Sequence, residues 1–168
     1  MSSVNFVKDE ALNKQLLDWH KGLEQRKGDR AMLRRASDPM NAFLSTYAHQ
    51  LSFELKKHNE KVRLQTIPEI ASVLAHITKA DASKSLPVQL AQRREGSEQP
   101  VFSELRFRRL LQCEDRESLC VHLRRAIAQL RGTADIFTTA NTIYWWGELQ
   151  RKELAFAYFS ARARLPTS

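Results

Sequence analysis

Apolar residues recur along most of this chain at helical spacing. Between residues 8 and 26 they fall at Leu12, Leu16, Trp19 and Leu23, one stripe of a 3.6-residue repeat. Gly28-Asp29 interrupts that stripe, and Asp29 is placed to cap a short helix over RAMLRRA. Ser37-Asp38-Pro39 should end it, with Pro39 suited to the first position of the next helix. Residues 40–55 then carry Phe43, Leu44, Tyr47, Leu51 and Leu55 on a helical pattern. KKHNEK (56–61) reads as an exposed connection. Pro68 opens a helix bearing Ile70, Val73, Leu74 and Ile77.

Residues 81–100 mix Ser, Gly, Pro and charge, which predicts a mobile loop with a short helical piece. That stretch divides the chain into an N-terminal helical lobe (1–80) and a C-terminal helical lobe (101–168). In the second lobe, 102–112 reads as one helix. Asp115 can cap the next, 116–131, which Gly132 ends; its core stripe is Leu119, Leu123, Ala126, Ile127 and Leu130. Residues 134–146 follow with Ile136, Ala140, Ile143 and Tyr144 inward, and after Gly147 a last helix covers about 149–163. No alternating apolar/polar segment is long enough to argue for a sheet. The expectation is an all-α fold, a helical bundle of two lobes joined by a flexible loop.

Composition sharpens this picture in one direction. The 168 residues hold 27 Lys and Arg against 19 Asp and Glu, a net charge of +8. Residues 1–100 carry 16 basic and 12 acidic side chains and 101–168 carry 11 and 7, so each part contributes +4 and no tail explains the surplus. Such a surplus favours polyanionic partners. The 42% hydrophobic content is enough for a core. The start, MSSVNFVKDEAL, has no apolar signal core and no apolar run reaches the length of a membrane span, which points to the cytoplasm and away from any membrane. Cys113 and Cys120 form neither a CxxC pair nor a Cys/His cluster, and read as buried apolar residues in a reducing compartment.

Catalytic chemistry is hard to find. His20, His49, His58, His76 and His122 make no HExxH or HxH motif, and no dinucleotide, Walker or GxSxG signature occurs. Asp115 and Glu117 could pair on a metal, yet Asp115 sits where a helix cap belongs and Glu117 suits a first turn. Asp18-Trp19-His20 reads as a core Trp between solvated neighbours, because adjacent helical residues diverge. Trp145 and Trp146 point about 100° apart on a helix, so one should fill the core and the other pack on a neighbouring helix or subunit. The expectation is a non-enzyme, with no cofactor and no metal.

The feature that stands out is an arginine pair beside an apolar residue: Leu33-Arg34-Arg35, Phe107-Arg108-Arg109 and Leu123-Arg124-Arg125. Arg106 and Arg109 share a face of their helix. Arg124 and Arg131 fall on one side of the core stripe, with Arg125 on the opposite, outer face. The guanidinium fork binds two phosphate oxygens at once and stays charged, so these pairs suit a nucleic-acid backbone better than Lys would. For any one pair, a solvated surface with local ion pairs is the simpler reading; three pairs with Arg116 and Arg131 favour binding.

GDRAMLRRASDP (28–39) is similar to the short signature of CasB proteins, the small subunits of the type I-E CRISPR Cascade surveillance complex. FSELRFRRLLQCEDRESLCVHLRRAIAQLRG (102–132) resembles the family's most recognisable block, and ADIFTTANTIYWWGELQRKELAFAYF (134–159) its Trp-Trp-Gly segment and final helix. The resemblance implies a two-lobed, all-helical, non-catalytic subunit, present in two copies and touching the large subunit and the repeating backbone subunits. Its basic surfaces would support guide RNA and target strand and hold the displaced non-target strand. Carried onto this sequence, it points to Arg34 and Arg35, to Arg124 and Arg125, to Arg116, and to the basic stretch Arg106, Arg108 and Arg109. After Trp-Trp-Gly the chain departs with Glu148-Leu149-Gln150, and basic residues return only at Arg151 and Lys152. A stand-alone helical adaptor binding an acidic protein, or a transcriptional regulator using 116–131 and 134–147 as a helix-turn-helix on duplex DNA, is the rival reading.

Overall fold

The structure is a computed structural model that describes residues 3–35 and 39–164. Ten helices run through the described residues: α1 (Glu10–Gly22), α2 (Lys27–Arg34), α3 (Pro39–Phe43), α4 (Thr46–His58), α5 (Ile67–Leu74), α6 (Leu86–Ala91), α7 (Glu104–Leu111), α8 (Arg116–Gln129), α9 (Ile136–Tyr144) and α10 (Glu148–Arg164). The all-α class holds. To the helices is added a minimal parallel pair, β1 (Lys79–Ala80) with β2 (Thr133–Ala134), which ties the exit of α5 to the exit of α8.

Helix α5 is the axis of the molecule. Every residue in it except Glu69 is buried, as expected for a short helix that is apolar all round. It packs against α2, α3 and α4, which precede it in the chain, and against α8 and α9, which follow it. The stripes read from the sequence turn inward as expected: Leu12, Leu16, Trp19 and Leu23 in the first half, and Leu119, Leu123, Ala126 and Ile127 in the second. All belong to one continuous apolar cluster that runs from Val4 to Tyr158. The segment 81–100 contains α6, which packs on α10, and an antiparallel bridge between Arg93 and Pro100.

Several local expectations need correction. The helix expected over 8–26 ends at Gly22 and tightens into a 3₁₀ turn over Leu23–Gln25. Asp29 does not cap α2, which begins at Lys27; it sits in the first turn, 3.5 Å from the guanidinium of Arg26. The helix expected over 40–55 breaks at Leu44-Ser45, because the Ser45 hydroxyl accepts the Ala48 N–H (3.1 Å) and starts α4 afresh. Leu44 consequently points out, 63% exposed. His20 is buried rather than solvated, its Nε2 2.7 Å from the Ile77 carbonyl, while Asp18 is exposed. The expected break at Ser37-Asp38 lies outside the described residues.

The end of α8 uses an uncommon turn. Arg131 (φ 56°) and Gly132 (φ 81°) both enter the left-handed region. The Gly132 N–H reaches back to the Ile127 carbonyl (3.1 Å), closing the helix as glycine does after a C-terminus. The Gly132 carbonyl then accepts the backbone N–H groups of Thr78 (2.8 Å) and Lys79 (3.1 Å), which aligns β1 with β2.

Candidate nucleic-acid interface

The arginines expected to bind sort into three groups once the chain is folded. The first lines a groove between α7 and α8. The Ser103 hydroxyl caps α7 by accepting the Arg106 N–H (3.2 Å), and the Asp115 carboxylate caps α8 by accepting the Ser118 N–H (2.7 Å). The metal-pair alternative for Asp115 thus gives way to the cap. Phe107 and Leu110 of α7 are buried, as are Leu119 and Leu123 of α8, so the two helices seat their apolar faces on the core. Arg106 and Arg109 project from α7 and His122 and Arg125 from α8 into a cavity of about 250 Å³, completed by Phe102 and Gln129. None of the described residues lining it is acidic. Burial, then Arg125 and Arg109, hold the His122 imidazole below its usual pKa of 6.5.

The second group lies where α2 and α8 meet the end of α5. Arg124 donates to the Ser72 hydroxyl at 3.4 Å and is half-buried. It shares the electrostatic environment of His76 with Arg34 and Arg30. Burial, then Arg124 and Arg34, push His76 down to about 4, against a backbone hydrogen bond at Arg34 that works the other way. Two adjacent residues, Arg124 and Arg125, therefore serve different clusters, because neighbours on a helix diverge by about 100°. Arg34 and Arg35 are exposed, and Arg35 also bonds the Ala31 carbonyl (3.2 Å).

The third group is engaged in holding the fold. Arg116 donates to the Ile143 carbonyl (3.2 Å) at the end of α9. Arg151 donates to the Cys113 carbonyl (2.5 Å) and lies over the Trp146 ring, 5.2 Å from its centre. Arg108 stands 3.8 Å from Glu104 and Lys152 3.2 Å from Glu148, both on exposed helix faces. Arg131 is exposed in the left-handed turn. Neither Trp145 nor Trp146 is fully buried in the core, against the expectation that one would fill it; both indoles are tied to backbone of this chain, Trp146 donating to the Cys113 carbonyl and Trp145 to the Val4 carbonyl, each at 2.8 Å. Trp145 keeps 43% of its surface exposed.

The family model described as CRISPR-associated protein Cse2 matches residues 29–160. The chain belongs to the Cse2 family. A comparison with curated proteins finds no match. Among solved structures, the chain is similar to CasB from Thermus thermophilus, with a TM-score of 0.66 at 20% identity over 88% of this chain and 97% of that one. It is also similar to a chain of the E. coli Cascade structure bound to a PAM-containing dsDNA target, with a TM-score of 0.64 at 21% identity over 89% and 97%. At these identities the likeness establishes the Cse2 fold in this chain.

Within this Cse2 fold, several residues that matter fall outside the set read from the sequence pattern. Arg30 donates to the carbonyls of Ala75 (3.1 Å) and Ile77 (2.8 Å) and so completes the end of α5. Arg63 bonds the Tyr144 carbonyl (2.6 Å) and stacks over the Tyr144 ring at 4.3 Å. His122 enters the α7–α8 groove and His76 the cluster beside α5. Of these, His122 had a local signal: it stands three residues before Arg125 and so shares its face. The two cysteines are free and buried, and burial pushes the Cys120 thiol up to about 12, so neither reads as a nucleophile. Among the described residues no group of three His, Cys, Asp or Glu is placed to hold a metal, and no helix is long and apolar enough to cross a membrane.

Proposed function

We propose that this chain is a non-catalytic small subunit of a type I-E Cascade complex, and that it holds nucleic acid through backbone phosphates. The observation that carries the reading is the α7–α8 groove, where Arg106, Arg109 and Arg125 converge with His122 and no described lining residue is acidic. Three guanidiniums from two helices lining one groove can each bind phosphate oxygens, a contact that positions a strand without reading its bases. Membership of the Cse2 family supports the Cascade context. Its partners would be guide RNA, the target and non-target strands, the backbone and large subunits, and a second copy of itself. In such a complex sequence is read by the guide, and modest backbone contacts tip a near-balanced strand exchange.

Arg34, Arg35 and Arg124 form the second proposed contact surface, with Arg131 at the end of α8. Arg108 and Lys152, each beside a carboxylate, and Arg116 and Arg151, each bound to a carbonyl, are the weaker members of the set. The division into lobes 1–80 and 101–168 about the 81–100 segment stands as part of the same proposal, with α5 as the shared core.

Charge reversal decides the matter. In a complex assembled with guide RNA, Arg109→Glu with Arg125→Glu should weaken target binding at least tenfold without changing which sequence is bound. The slope of log affinity against log salt should fall by roughly 0.7 for each single-strand phosphate that the variant no longer engages. Normal assembly with unchanged target affinity would overturn the assignment.

A further inference from the structure

His122 sits in the α7–α8 groove in an environment made of cations. Arg106 and Arg109 face it from α7, and Arg125 from its own helix; Phe102 and Gln129, the remaining lining residues, are uncharged. We propose that this groove is a proton-coupled phosphate site, in which a backbone phosphate of single-stranded nucleic acid seats among the three arginines and His122 takes up a proton as it arrives. The inference rests on reading the groove as a nucleic-acid contact, and adds how that contact is regulated.

The physical reason is charge balance. Without a bound anion an imidazolium would be a fourth positive charge in a partly desolvated pocket, and burial, then Arg125 and Arg109, disfavour that charged form. A phosphate diester removes part of that repulsion and offers acceptor oxygens to the imidazolium N–H. The ring then protonates more readily in the bound state than in the free state. Linkage is reciprocal, so lowering the pH through the interval between the two pKa values must tighten phosphate binding. His76 lies among Arg30, Arg34 and Arg124 but differs in kind: its Nε2 is buried with no hydrogen-bond partner among the described residues, so an incoming phosphate does not reach it without rearrangement.

The test uses the full chain and a single-stranded DNA oligonucleotide at low salt. The imidazole resonance of His122 is titrated by NMR with and without saturating DNA, and the dissociation constant is measured from pH 8 to pH 6 for the natural chain and His122→Gln. The expected result is an upward shift of the His122 titration by about one pH unit on adding DNA. Affinity should rise about threefold or more between pH 8 and 6, within the limit of tenfold per pH unit for one proton, and the rise should flatten in His122→Gln. If Arg109→Glu with Arg125→Glu abolishes binding but DNA leaves the His122 titration unmoved and His122→Gln keeps the natural pH slope, proton coupling is wrong and the nucleic-acid reading survives. If DNA binding is absent, or indifferent to that double charge reversal, the nucleic-acid reading of the groove fails and the coupling fails with it.

Discussion

A few residues carry disproportionate weight in this fold. Gly132 adopts a φ of 81°, and a Cβ there would lie 2.6 Å from the Thr78 hydroxyl. Gly132→Ala would meet both left-handed strain and a clash at the point where β1 and β2 join, and should cost about 1–3 kcal/mol; thermal denaturation of the variant checks this. His76 makes stability depend on pH. Its folded pKa of about 4 lies below the ordinary 6.5, so the unfolded chain binds the proton more readily. The stability His76 contributes is complete above pH 6.5 and is lost as the pH falls toward 4. Denaturation midpoints between pH 7 and 4 should fall less steeply in His76→Gln than in the natural chain. A slope identical in both would assign the acid sensitivity elsewhere.

Helix boundaries are set by side chains that serve the backbone. Asp135 is buried and accepts the N–H groups of Phe137 and Thr138 (both 3.1 Å) and the Thr138 hydroxyl (2.6 Å), which fixes the start of α9. Asp135→Ala should lose roughly 1–2 kcal/mol by removing the cap, measurable by chemical denaturation. The opposite ends of helices are completed by arginines: Arg30 serves the exit of α5 and Arg116 that of α9. For this reason Arg116→Ala should lower stability by about 1 kcal/mol through its missing hydrogen bond, whereas Arg109→Ala, on an exposed face of the groove, should change stability by less than about 0.5 kcal/mol. Comparing the two denaturation curves separates a structural arginine from a binding one. The same distinction separates arginines that share one sequence context. Arg124 and Arg125 look identical in sequence, and one turns toward Ser72 on α5 while the other turns toward α7.

At the scale of the whole molecule, α5 joins the helices on its N-terminal side to those on its C-terminal side. Leu74 is fully buried, and Leu74→Ala should cost about 2–5 kcal/mol. Because the apolar cluster is continuous, unfolding followed by far-ultraviolet circular dichroism and by tryptophan fluorescence should coincide in one transition, in that variant as in the natural chain. Two separated transitions would refute a shared core. Fold class was legible in the sequence because amphipathic periodicity is local: the stripes of α1 and α8 and the cap at Asp115 arise from spacing and residue type within a few turns. The break at Leu44-Ser45 was not, since a Ser within an apolar run has no local mark showing that its hydroxyl will start a new helix. The basic character of the molecule and its arginine pairs were likewise written in the sequence. Tertiary structure decided which of those arginines meet, which close the ends of helices, and that His122 would stand among the groove's cations. Convergence of α7 on α8, and of α2 on the end of α5, depends on packing between residues far apart in the chain, and no periodicity along one segment encodes the direction from which another arrives.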